Sequence, residues 1–131
     1  MDLIRVVYAS EPFGFDEAML AGILVDARRC NARDAITGAL ICRGDLYLQW
    51  LEGPAAEVEA CFNRIAGDSR HQNVRRLMHG PAPGRLFEGW AMRDDPARSW
   101  LWSERQVAEG ALDRAGESEI VAVFERVKAD A

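Results

Sequence analysis

The chain has 131 residues, 49% of them hydrophobic and 28% charged, with a formal net charge of −5. That length suits one compact domain with a short appendage, and basic residues scattered among acids argue against a nucleic-acid surface. No apolar run is long enough to span a bilayer, and no basic leader precedes the first strand pattern, so neither membrane insertion nor a signal peptide is expected. Cys30, Cys42 and Cys61 sit in apolar patterns at spacings unlike a zinc site. They read as reduced core residues of a cytoplasmic protein.

Residues 3–9 are rich in β-branched side chains and read as a first strand, with Ile4, Val6 and Tyr8 on one face. Glu11-Pro12-Phe13-Gly14 reads as a turn, and Asp16 suits a helix N-cap. The helix that follows runs to about Asn31 on a stripe of Leu20, Ile23, Leu24 and Ala27. Asn31 lies one turn beyond Ala27 on the same stripe, so it faces the core. Residues 36–42 and 46–52 form two strands joined by Arg43-Gly44-Asp45. In the second of these, Gln49 is an uncharged amide inside the apolar run Leu46-Tyr47-Leu48-Gln49-Trp50-Leu51. A buried amide costs free energy until its donors and acceptor are matched, so partners must lie elsewhere in the chain.

Gly53-Pro54 opens a second helix, with Pro54 at its first position, a stripe of Val58, Cys61, Phe62 and Ile65, and a stop at Gly67. Residues 74–79 and 87–93 read as two further strands around Gly80-Pro81-Ala82-Pro83-Gly84. The order β-α-β-β-α-β-β predicts an α+β, ferredoxin-like sheet with two helices on one face. Asp94-Asp95-Pro96 marks a boundary between residues 1–93 and a C-terminal helical extension, residues 94–131. The extension holds Trp100-Leu101-Trp102 and an amphipathic helix bearing Ile120, Val123, Phe124 and Val127. Leu48 and Trp50 point to the sheet face that the first two helices leave open. Either the extension or a second subunit must cover it, and self-association through that face, giving a homo-oligomer, is expected.

Much chemistry is excluded. His71 and His79 lack partners at metal-ligand spacing, and there is no phosphate-binding glycine loop or dinucleotide fingerprint. Lys128 lies too near the C-terminal end to suit a Schiff base, and no Ser or Cys pairs recognisably with a histidine. Nothing demands catalysis, so an enzyme is not expected. What remains is Tyr8, Asn31 and Gln49, neutral hydrogen-bonding groups converging between the sheet and two helices. Singly, each reads as an ordinary satisfied core group. Together they favour a planar heteroaromatic ligand slid between Ile23 and Ile65.

The residues that carry this constellation also resemble the BLUF family of flavin-using blue-light sensors, over roughly residues 3–93. The resemblance rests on Arg5-Val6-Val7-Tyr8-Ala9-Ser10, on Asn31 followed by Ile36-Thr37-Gly38, and on Leu48-Gln49-Trp50-Leu51-Glu52-Gly53. It continues through Arg64-Ile65, Asp68-Ser69-Arg70-His71 and Arg85-Leu86-Phe87-Glu88-Gly89-Trp90-Ala91-Met92. By that resemblance Tyr8 is the photoactive tyrosine and Gln49 the switching glutamine, whose amide donates to a flavin carbonyl after light. Asn31 would hold the pyrimidine edge, Ile23 and Ile65 would sandwich the ring, and Arg64, Asp68, Arg70 and His71 would face its carbonyl and tail. Met92 would contact the cofactor and, with Trp90, relay its state along the last strand. Cys30, Ala35 and Ser69 depart from the family's usual residues. The implied cofactor is FAD, or FMN, and the implied signal passes through the C-terminal helices to a separate protein partner. The alternative is a ferredoxin-like interaction module that has lost flavin.

Overall fold

The computed structural model describes residues 2–14 and 17–130, so the proposed N-cap Asp16 lies outside the described residues. Its elements are β1 (Leu3–Pro12), α1 (Glu17–Asp34), β2 (Thr37–Arg43), β3 (Leu46–Pro54), α2 (Ala55–Ala66), β4 (His71–Pro81) and β5 (Arg93–Pro96), then α3 (Glu104–Ala108), α4 (Ala111–Arg114) and α5 (Glu117–Ala129). The strands form one sheet in the order β4-β1-β3-β2-β5. Only β5 runs parallel to its neighbour, β2, while the other described pairs are antiparallel. This is the expected ferredoxin-like arrangement.

Period-two alternation in β1 and β3 divides the core into two layers. On one face Val6, Tyr8, Leu40 and Leu51 pack against Ile23 and Leu24 of α1 and Val58 and Cys61 of α2. On the other, Val7, Ala9, Leu48 and Trp50 pack against Ile120, Phe124 and Val127 of α5. The Trp50 ring lies 5.3 Å from Phe124 and 5.9 Å from Phe87, measured between centroids. Burial of each large α5 side chain stabilises by about 1.5–3 kcal/mol, enough to hold a short helix on a sheet. The face expected to lie open for self-association is covered by α5 of the same chain, leaving Leu48 0% and Trp50 2% exposed.

Three local readings also change. The strand expected over residues 87–93 is instead β5, starting at Arg93, and residues 82–92 form an irregular strap. The amides of Leu86 and Phe87 are taken by the Glu52 carboxylate, and Gly89 sits at φ +87°, so a continuous ladder cannot form. Asp94-Asp95-Pro96, expected as a boundary, lies within β5 because Asp94 and Asp95 pair with Leu40 and Ile41 of β2. Pro54 is the cap of α2, in extended conformation, and the helix begins at Ala55.

The end of α1 fixes the residue that matters most on that helix. The Ile36 amide bonds the Asn31 carbonyl at 2.9 Å, closing the helix in the six-to-one pattern of a Schellman turn. That turn needs a left-handed residue, and here it is Ala35 at φ +59°. An L side chain costs about 1–2 kcal/mol there, part of which glycine would return as chain entropy. Ala35→Gly should therefore raise stability by about 0.5–1 kcal/mol in urea unfolding. A loss of stability would show that the left-handed turn is not strained.

Candidate functional site

Tyr8 and Gln49 face each other across β1 and β3 in antiparallel register, on the face shared with α1 and α2. The β1–β4 register shifts between Val7 and Tyr8, a bulge that sets the tyrosine's direction. The Tyr8 hydroxyl donates to Gln49 Oε1, and Gln49 Nε2 donates to the sulfur of Met92 at 3.1 Å. Tyr8 is fully buried and Gln49 is 3% exposed. Burial first, then the neighbouring Cys61, Tyr47 and Asp68, pushes the Tyr8 phenol well above its ordinary pKa, so it is held neutral. An amide has two lone pairs and two protons; Gln49 thus keeps one acceptor position and one N–H for the cavity it lines.

That cavity, about 290 Å³, lies between α1 and α2. Ile23 and Ile65 stand on its two helical walls. Asn31, 1% exposed, donates through Nδ2 to the Ala91 carbonyl at 2.8 Å and accepts from Cys61 Sγ at 3.8 Å. It too retains one donor and one acceptor position. The cavity thus sets these two amides among the apolar Ile23, Ala27 and Ile65, with charged side chains and His71 making up much of the rest of its lining.

The remaining expected residues separate by role. Arg70 is committed to ion pairs, at 2.6 Å from Asp68 and 3.1 Å from Asp26. Its hydrogen bonds hold the Asp68 carboxyl below the usual carboxylate range. Arg64 is looser, with a 3.5 Å contact to Asp34 and its side chain 48% exposed. Arg29 joins Arg64 at the cavity rim, a cation that the sequence reading missed. His71 lines the cavity and is buried, its Nδ1 2.8 Å from the Ser10 hydroxyl. Desolvation lowers its pKa to about 4. Met92 sits behind Gln49, with its carbonyl bonded by Arg28 Nε at 2.9 Å. Trp90 lies outside the cavity, its ring 5.1 Å from Phe87 and under the Arg93 guanidinium. Ser10, Arg28 and Glu52 were not foreseen as contributors.

A flat heteroaromatic with hydrogen-bonding groups along one edge fits these residues: apolar walls, two half-used amides, and cations at the rim for an anionic tail. The cavity is near the lower end of the ~300–1,000 Å³ typical of small-molecule sites, which suits a ring system more than a whole dinucleotide. Among the described residues no cluster of three His, Cys, Asp or Glu could hold a metal, and no helix is long and apolar enough to cross a membrane. Cys30, Cys42 and Cys61 form no disulfide.

The chain belongs to the BLUF family, sensors of blue-light using FAD, whose model matches residues 3–93. Among its relatives, the photoactivated adenylate cyclase subunit alpha of Euglena gracilis is 30% identical over 95 residues, which are 70% of this chain and 9% of that protein. The blue light- and temperature-regulated antirepressor BluF of Escherichia coli (strain K12) is 38% identical over 61 residues, 47% of this chain and 15% of that protein. The chain therefore spans only a small part of these relatives. Among solved structures, the dark state of BlrB, a BLUF protein, superposes with a TM-score of 0.80 at 26% identity, covering 99% of this chain and 98% of that one.

His71 makes acid stability a test of this geometry. A histidine held neutral by the fold binds its proton less tightly than in the unfolded chain. Its contribution is complete above the ordinary histidine pKa and is lost as pH falls from there toward about 4. Urea unfolding at about pH 7 and about pH 5 should differ by about 2 kcal/mol from this group, and His71→Gln should remove most of that difference. An unchanged difference in the variant would place the acid sensitivity elsewhere.

Proposed function

We propose that this chain is a blue-light photoreceptor that holds flavin, as FAD or FMN, in the cavity between α1 and α2. The observation that carries the reading is the buried Tyr8–Gln49–Met92 chain, with Gln49 at once a cavity wall and a link to the strap. Asn31 holds the polar edge of the ring, Ile23 and Ile65 clasp its faces, and Arg64 with Arg29 receives the tail. Arg70 and Asp68 support the rim, and His71 faces the ring from the end of β4. When bound, flavin supplies blue absorption and, once excited, a one-electron acceptor.

Tyr8 is the donor. Its phenol is held neutral before excitation, and once it loses an electron the oxidised phenol is a strong acid whose proton can pass along the bond to Gln49 Oε1. On return, the amide of Gln49 can settle turned over, because a tyrosine hydroxyl accepts as readily as it donates. The turned amide presents oxygen to the Met92 sulfur, which has no proton to give, so that contact is lost. Met92 and Trp90 carry the change along the strap to the C-terminal helices and on to a separate protein partner. The chain acts as a sensor in the cytoplasm, the sheet with α1 and α2 forming the flavin unit and α3 to α5 the output layer, and it catalyses no reaction of its own.

Protein purified with flavin available should be yellow and show a small, reversible red shift of its visible band under blue light. Tyr8→Phe and Gln49→Leu should keep the colour and abolish the shift, since neither replacement can take part in the proton and hydrogen-bond exchange. A normal shift in either variant would contradict the assigned roles, and colourless protein would contradict flavin binding. Asn31→Ala should weaken flavin retention about tenfold or more in equilibrium dialysis, because the polar edge is left unpaired in an apolar slot. Unaltered retention would remove Asn31 from the site.

A further inference from the structure

Glu52 is a fully buried carboxylate that the switching network does not touch. It lies on the Trp50 side of β3, opposite the cavity face. Four donors converge on it. Trp50 Nε1–H and the Leu86 amide reach Oε1 at 2.9 and 2.7 Å, while the Thr37 hydroxyl and the Phe87 amide reach Oε2 at 2.6 and 2.8 Å. An ionised carboxylate offers about four lone-pair sites and no proton, so this set saturates it. Arg85 closes the cluster, donating to the Thr37 hydroxyl at 2.9 Å and to the Ala35 carbonyl at 2.7 Å. A charge so placed makes strong, directional bonds, and removing its acceptors strands several donors at once.

Those bonds clamp the start of the strap. Its far end is tied by other groups: the Gly38 amide bonds the Trp90 carbonyl at 3.0 Å, Asn31 the Ala91 carbonyl, and Arg28 the Met92 carbonyl. The strap lies so close on β2 that a Cβ at Gly38 would come within 3.2 Å of the Met92 methyl. On the opposite face of the sheet, Lys128 of α5 donates to the Leu86 carbonyl at 2.6 Å, and Phe87 packs against Trp50 and Phe124. The strap thus touches Gln49 at one end and α5 at the other, with Glu52 holding the end nearest α5.

We infer that Glu52 is a positioning residue of the switch: its carboxylate fixes the start of the strap, which sets the Met92 sulfur against Gln49 and makes α5 feel a displacement of Met92. The inference rests on the photoreceptor reading for its use of light, while the mechanical link through the strap stands apart from it.

The test is a double-mutant cycle on the full chain, read in two ways. With flavin bound, Glu52→Gln should change the rate of dark recovery about tenfold, because a glutamine oxygen cannot accept from both Leu86 and Phe87 sides of the clamp. In a Met92→Ala background the same substitution should have almost no effect, since the strap has lost the atom it positions. Leu112→Ala, an equally buried change remote from the strap, serves as the control for lost stability and should leave recovery as in the parent. In the dark, hydrogen exchange at the Gly38 amide should accelerate in Glu52→Gln, although that amide bonds the opposite end of the strap. Recovery unchanged by Glu52→Gln, or effects of Glu52→Gln and Met92→Ala that simply multiply, would overturn the inference. Should Glu52→Gln fail to fold, Thr37→Val removes one of the four donors and must show the same coupling to Met92→Ala, or the inference fails. A parent protein that binds flavin without any red shift overturns the photoreceptor reading, and the exchange measurement then decides alone: unaltered Gly38 protection rejects the strap as a lever.

Discussion

The structure turns on one amide. Gln49 is buried in the middle of β3, where each unmatched polar group costs about 1–3 kcal/mol. Its two ends are matched unequally, by a tyrosine hydroxyl at Oε1 and by a thioether sulfur at Nε2. The hydroxyl can serve either end of an amide, whereas sulfur is only a weak acceptor. Turning the amide therefore forfeits one weak contact and keeps the strong one, and in a low-dielectric interior two such arrangements are both well defined. A glutamine in water would show no such preference, so the tight packing around β1 and β3 is a condition of the proposed switch.

The rest of the fold places that amide between a cavity and the sheet face that carries α5. One face of the sheet, with α1 and α2, forms the cavity; the other carries α5. Side chains on adjacent positions of β3 point to opposite faces, so Gln49 and Trp50 are neighbours in sequence yet belong to different layers. The strap passes from one layer to the other beside β2. It brings Met92 to the cavity side and Phe87 to the α5 side, which turns a local rearrangement of hydrogen bonds into a question of how strap and helix pack.

Periodicity made much of this legible. Alternation put Gln49 beside Tyr47 and Leu51 on the helical face, and helical spacing put Asn31 on the Ile23 stripe, although α1 runs one turn further than its stripe implied. The strap was misread because Phe87, Trp90 and Met92 have the composition of a strand, while the group that breaks the ladder, the Glu52 carboxylate, lies far away in sequence. Glu52 itself shares a face with Trp50 by simple alternation, but a charged residue at a strand end reads as solvated until four donors are seen around it. The Ser10–His71 bond spans distant strands and leaves no local signature. Ala35 shows the opposite case: only the glycine usual at this place in the family hinted at the left-handed turn that the structure contains.

The most direct test of the central claim is the light-minus-dark infrared spectrum of flavin-loaded protein whose glutamine side chains carry an isotope label. Gln72 is exposed and Gln106 caps α3, so neither is coupled to the cavity. The account predicts a difference band of an amide side chain that moves with the label and reverses on dark recovery, reporting the turning of Gln49 beside Tyr8. A light-induced red shift accompanied by a difference spectrum wholly insensitive to the label would contradict it.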